Sequence, residues 1–154
     1  MTSLITWLKE LFMGKQRPTT IKVRINLAKD ASCWNYAIEA DDQSSGPYVK
    51  AGNKIDFPKK HPTSTIEFRL QGKAGQTLDF DLADPIWIQP DTCPTAPCNY
   101  PEVTVLPSST PNRLHVQNRN LSEVELHYRL NFVDSAGNKV HWDPIIRNGG
   151  EGGP

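Results

Sequence analysis

An all-β sandwich is the fold class this sequence predicts, on three observations. Most of the chain alternates apolar and polar residues with a period of two, the alternating segments are short, and thirteen prolines and ten glycines are spread between them rather than massed in one tract. Alternation of that period marks a strand with one buried face, and Pro and Gly at intervals supply the turns that join such strands. At 154 residues the chain suits one domain whose core stands without metals or disulfides.

The first element is the exception to the β pattern. Leu4, Ile5, Trp7, Leu8, Leu11 and Phe12 recur at helical spacing, with Thr6, Lys9 and Glu10 on the other side, which predicts an amphipathic helix over about residues 3–13. Thr2 or Ser3 can cap its start, Gly14 suits a left-handed stop and Pro18 prevents continuation. A helix of about three turns is marginal alone, so its face of Leu4, Trp7, Leu8, Leu11 and Phe12 is expected to dock on the sandwich, on a second subunit or on a membrane surface, the last disfavoured by the few lysines and arginines flanking the polar face. The stretch has no basic n-region, and Lys9 and Glu10 interrupt its apolar run, so it reads as retained rather than as a signal peptide, with a cytoplasmic location favoured. Residues 1–18 are then helix and linker, 19–148 the sandwich, and 149–154, rich in glycine, a mobile tail.

From Thr20 the period is two. "TIKVRINLA" sets Ile21, Val23, Ile25 and Leu27 against Lys22, Arg24 and Asn26, and "SCWNYAIEA" sets Trp34, Tyr36 and Ile38 against Cys33, Asn35, Ala37 and Glu39. Further strands are predicted at Asn53–Phe57, Thr65–Gln71, Thr77–Leu82, Ile86–Gln89, Glu102–Leu106, Arg113–Asn118, Val124–Val133 and Lys139–Ile146. Short strands so spaced suggest an immunoglobulin-like antiparallel sandwich. Between Gln89 and Pro101 the prolines forbid ladder hydrogen bonds, which predicts an exposed loop or a sheet-edge excursion.

The tripeptide Asp-Pro-Ile occurs twice, at residues 84–86 and 143–145, inside a longer internal similarity. Asn53, Arg69-Leu70, Ala74-Gly75 and Asp84 correspond to Asn112, Arg129-Leu130, Ala136-Gly137 and Asp143 at offsets of 59, 60, 62 and 59 residues, which either a weak duplication, the favoured reading, or convergence on one strand-turn pattern would produce. In the second copy, a hairpin turning near Leu121 would pair Leu114 with Tyr128, Val116 with Leu126 and His115 with His127. A second hairpin turning at "DSAGN" would pair Phe132 with Val140 and Leu130 with Trp142, and would set Arg129 opposite Asp143 as a structural ion pair. In the first copy the matching Arg69 would meet Asp79, Asp81 or Asp84. The proline after each Asp lacks an N–H and ends the pairing.

Candidate chemistry is sparse. His115 and His127, opposed in that register with Glu125 beside them, offer a two-imidazole metal site. Cys93 and Cys98 in "CPTAPC" are spaced to close a small disulfide ring in an oxidising setting and remain thiols in a reducing one. Asp81 and Asp84, and Glu39, Asp41 and Asp42, are acidic turns with the chemistry of a calcium or sugar site. Trp87, Pro90, Pro97 and Tyr100 suggest an exposed patch for protein or glycan contact. No nucleophile elbow, phosphate loop, dinucleotide fingerprint or zinc-protease helix occurs, which favours a non-enzymatic role with no cofactor. Seventeen basic residues balance seventeen acidic ones, so no global field attracts nucleic acid. No run of about 18 apolar residues offers a transmembrane helix.

The ending "NFVDSAGNKVHWDPIIRNGG", with "RLHVQNRN" before it, resembles small bacterial immunoglobulin-like proteins of the uncharacterised DP-EP type. That resemblance implies a β-sandwich and brings no activity. The expectation is an interaction or assembly module that self-associates or binds a protein partner. The alternatives are a carbohydrate-binding module using Trp87 and Tyr100, or a small metal-binding protein using His115 and His127.

Overall fold

The computed structural model describes residues 19–31, 33–72 and 77–150. The predicted helix, with Leu4, Trp7, Leu8, Leu11 and Phe12, lies outside the described residues. So do residues 151–154.

Among the described residues, twelve strands form two sheets. In the first sheet, β2 (Cys33–Ala40) pairs β1 (Thr20–Asp30), which pairs β5 (Ser64–Gly72), then β9 (Arg113–Asn118) and β8 (Val103–Val105). The second is built on β10 (Val124–Asp134). One side of β10 carries β11 (Lys139–Trp142) and then β12 (Ile145–Gly150), and the other carries β6 (Leu78–Phe80) and then β7 (Ile86–Pro90). Beyond β12 lie β4 (Lys54–Pro58) and β3 (Val49–Lys50). The ladders are not purely antiparallel as expected, because β1–β5 and β4–β12 are parallel.

Burial follows the alternation read from the sequence. Ile21, Val23, Ile25 and Leu27 of β1 point inward, as do Leu114 and Val116 of β9 and Leu126, Tyr128, Leu130 and Phe132 of β10. Each such side chain contributes on the order of 2 kcal/mol when removed from water. The sheets meet through ring contacts, Phe68 on Tyr128 at 5.9 Å and Tyr36 stacked between Phe132 and Trp142 at 5.6 and 5.2 Å. Trp142 is therefore inward, as its register predicts.

The "DSAGN" hairpin has the expected pairing, Phe132 with Val140 and Leu130 with Trp142. Gly137 takes the left-handed position at φ 84°, and the Asp134 carboxylate accepts the Ala136 and Asn138 amides at 2.9 and 2.8 Å. Those bonds hold the Asp134 carboxyl below its usual range, the Asn138 amide first. The other predicted hairpin does not form. β9 is flanked by β5 and β8 in one sheet, whereas β10 lies in the other. Leu114, Val116, Leu126 and Tyr128 all face the core as anticipated, but from opposite sheets. Alternation specifies which face is buried and leaves open which strand is the neighbour.

Both Asp-Pro-Ile segments flank β10. At Asp143-Pro144 the ladder lapses for two residues and resumes in unchanged register, with Tyr128 N–H donating to the Pro144 carbonyl at 3.1 Å. On the other flank, Phe132 faces Phe80 while Leu130 faces Ile86, so the chain between them loops out around Asp84-Pro85. There the Pro85 carbonyl accepts Asn131 N–H at 2.9 Å. The internal similarity also maps β5 onto β10, the central strands of opposite sheets.

Gly149 and Gly150 correct the mobile-tail expectation, since both belong to β12. Gly149 is buried, its N–H donates to Asn120 Oδ1 at 2.9 Å, and Gly150 pairs with Pro58. Backbone ladder bonds need no side chain, so glycine content misleads here.

Candidate functional site

Because Leu126, Tyr128 and Leu130 point inward, Glu125, His127, Arg129 and Asn131 form a polar row on the outer face of the second sheet. Their cross-strand neighbours are Gln89 beside His127, Trp87 beside Arg129 and His141 beside Asn131.

The row is most organised around Trp87. The Arg129 guanidinium carbon lies 4.0 Å from the centroid of the half-buried Trp87 ring, within cation–π range. Trp87 Nε1 donates to Asp84 Oδ2 at 2.7 Å, which fixes the indole from its edge. Arg129 Nε donates to Asn131 Oδ1 at 2.9 Å, and Asn131 Nδ2 donates to the Asp84 carbonyl at 2.8 Å. Asn131, only 7% exposed, thus clamps the Asp-Pro loop and orients the arginine together. Lys139 Nζ pairs with Asp81 at 2.7 Å on the rim. Asp81, Asp84, Trp87, Arg129, Lys139 and His141 line a concavity of about 220 Å³.

Several expected groupings are not assembled. His115 and His127 lie on the outer faces of different sheets. His115 Nε2 meets Glu67 at 3.0 Å and Nδ1 meets Ser108 Oγ at 2.9 Å, while His127 lies near Glu125 at 4.0 Å. Their two-imidazole site fails with the β9–β10 hairpin that would have created it. Among the described residues no group of three His, Cys, Asp or Glu side chains is placed to hold a metal. Arg129 does not pair with Asp143, which is exposed at the ladder break, because its guanidinium turns to the opposite flank over Trp87. Arg69 meets none of Asp79, Asp81 and Asp84. Its fork grips Asp41 at 2.7 and 2.8 Å.

Trp87 and Tyr100 do not form one platform. Tyr100 packs against the core and its hydroxyl lies 3.2 Å from Ser122 Oγ. Pro90 and Pro97 are both exposed, but Gln89 and Pro90 close β7 as ladder partners of His127 and Leu126, so the loop expected over Gln89–Pro101 starts only after Pro90. It then runs back along β7 and accepts the Ile88 N–H at the Cys98 carbonyl, 3.2 Å. Cys33, Cys93 and Cys98 are all free thiols.

The outer face of the first sheet was not anticipated as a network. Arg24, Arg69 and Arg113 stand in one cross-strand row. Arg24 pairs with Glu39 and lies 3.5 Å from Asp41, while Arg113 pairs with Glu67 at 2.8 Å. The acidic turn read as a calcium or sugar candidate is thus occupied by arginines, apart from Asp42, which accepts the Ser45 amide at 2.9 Å. Only the cross-strand register brings these residues together, and no local motif announces it.

The chain matches no protein-family model and no curated protein.

Proposed function

We propose that this protein is a non-enzymatic interaction module that presents the Trp87 face of its second sheet, with the loop over residues 91–101 alongside, to a protein partner. The observation that carries the reading is the Trp87–Arg129 stack, locked by Asp84 and Asn131 beside a shallow concavity. Trp and Arg dominate the energetics of protein interfaces, and side chains already held in place lose little entropy on binding. A glycan reading retains Trp87 alone, and Arg129 already covers one face of that indole. The immunoglobulin-like assignment and the likeness to DP-EP-type proteins belong to the same proposal. Two facing sheets support them, and the two parallel ladders are departures from that pattern.

The test is quantitative cross-linking and capture with the full chain and its Trp87→Ala and Arg129→Ala variants. Loss of one defined partner in both variants, with parental melting behaviour, is the expected result. Retention of the same partner by both removes this face from consideration.

Self-association is a second reading, favoured by a different observation. Among the described residues, β2 is an eight-residue edge strand paired only with β1. Ile38 N–H points away from β1 to Asn53 Oδ1 at 3.1 Å. By alternation, the main-chain groups of Trp34 and Tyr36 also face outward, without partners among the described residues. A hollow of about 360 Å³ lined by Asn26, Ala28, Asn35, Tyr36, Ala37 and Gln71 adjoins that edge. Such an edge is a template for another strand. Native mass spectrometry should find a dimer that becomes monomeric in Ala37→Lys, and a monomeric parent would end this reading.

A further inference from the structure

A thiol and an imidazole meet toward the Glu125 end of the β10 row. Cys93 Sγ lies 3.8 Å from His127 Nδ1, and His127 Nε2 lies 4.0 Å from Glu125 Oε1. The backbone produces this approach. β7 ends at Pro90, Asp91 turns the chain at φ 69°, and the Asp91 amide donates to the Glu125 carbonyl at 3.1 Å. Gln89 Nε2 then holds Thr92 by its carbonyl and its hydroxyl, each at 2.9 Å. The turn is thereby folded back on β10, which sets Cys93 over His127. The thiol is exposed, while the His127 side chain is only 18% exposed and is held between strands.

We propose that Cys93 is a histidine-activated thiol that exchanges with low-molecular-weight disulfides. With its proton on Nε2, toward Glu125, His127 offers Nδ1 as the acceptor for the Cys93 proton. The resulting thiolate attacks one sulfur of the small disulfide and the S–S bond breaks. A mixed disulfide forms at Cys93, and the leaving thiolate takes the proton back from the imidazolium, so one disulfide and one thiol give one mixed disulfide and one small thiol. Glu125 favours the imidazolium transiently formed, as the orienting carboxylate does in nucleophile–base pairs. Lys54, 3.9 Å from Glu125, and Arg147, opposite Glu125 in the ladder, are the cationic groups on this patch. Asp91 is the other acidic group of the turn.

The inference does not rest on the binding reading, since it uses neither Trp87 nor Arg129. Cys93 sits on the loop that reading also presents, but the thiol assay and the partner capture fail separately. Cys33 supplies an internal reference, because it is exposed yet has no histidine in hydrogen-bond contact among the described residues.

The experiment is stopped-flow reaction of the full-length Cys98→Ser protein with 5,5′-dithiobis(2-nitrobenzoate) at neutral pH, with Cys93→Ser added to assign the phases. Cys93 should react about 10-fold faster than Cys33, since an ordinary thiol is only a few per cent thiolate at that pH. His127→Gln should bring the Cys93 rate down to that of Cys33 with Cys33 unchanged, and Glu125→Gln should lower it about 2- to 3-fold. Equal rates for the two cysteines in the parent would overturn the proposal. So would an unchanged Cys93 rate in a His127→Gln protein with parental circular dichroism. Should that variant not fold, a Cys93 rate untouched by Glu125→Gln overturns it equally.

Discussion

Asn118 of β9 and Asn148 of β12 exchange two side-chain hydrogen bonds, at 2.7 and 2.8 Å, across the interior between the sheets. Both are essentially inaccessible to solvent, at 0% and 1% exposed. Each amide satisfies the other, so the pair holds one sheet in register with the other where a single buried amide would be costly. Asn148→Ala should destabilise the protein by about 1–3 kcal/mol, because it strands the buried Asn118 Nδ2 group, while Asn118 Oδ1 still accepts the Asn120 N–H at 3.2 Å. Replacing both by Leu should lie much nearer to neutral. Urea unfolding of the two variants checks this, and a double variant as unstable as the single one would contradict it.

Tyr128 is fully buried and its hydroxyl has no hydrogen-bond partner among the described residues. Burial pushes its phenol well above the usual range. Tyr128→Phe should therefore raise stability by about 1 kcal/mol, since it removes an unsatisfied polar group and keeps the ring against Phe68. A lower denaturation midpoint would show that the hydroxyl is better satisfied than its surroundings indicate.

Asp41 gives the first-sheet network a pH signature. Hydrogen bonds from Arg69 hold its carboxyl below the ordinary value of 3.8, with Arg24 and Arg113 adding smaller attractions. A depressed folded-state pKa contributes stability above the unfolded value that is lost as pH falls through the folded one. Asp41→Asn should thus be less stable than the parent above about pH 4, and the gap should close as the solution is acidified below that point. Thermal melts at stepped pH test it, and a gap that widens on acidification would refute the assignment.

Gly149 occupies φ +68°, and a Cβ placed there would lie 2.8 Å from the Glu123 backbone. Gly149→Ala should cost about 1–3 kcal/mol through strain at a left-handed position that also lacks space. Differential scanning calorimetry should show a clear fall in melting temperature, whereas an unchanged transition would mean that β12 can shift away from Glu123.

The candidate site was legible in pieces. Trp87 and Asp84 stand three residues apart, and their hydrogen bond across the Asp-Pro break is a local feature that a sequence reading can reach. Arg129 was singled out too, but as the partner of Asp143, because only one of its two flanking strands was visible in the hairpin pattern. The second flank, β7, is about forty residues earlier in the chain, and it supplies the indole that the arginine covers. The Cys93–His127 approach is equally non-local, since it needs β7 beside β10 and a left-handed Asp91.

Alternation, turn residues and proline positions determined most of the strands and the face each one buries, because period-two patterning is written into neighbouring residues. The two-residue β3 was missed, and the strand expected over Lys139–Ile146 is split into β11 and β12 at Asp143-Pro144. The register of the "DSAGN" hairpin was determined the same way, through a turn only a few residues long. Which strands lie side by side was decided by the tertiary structure. Backbone N–H and C=O groups are the same in every strand, so choosing β5 and β8 for β9, and four different strands for β10, depends on core packing and loop closure across the whole chain. Glu67 beside His115, Asp41 beside Arg69, and Trp87 beside Arg129 all follow from that choice.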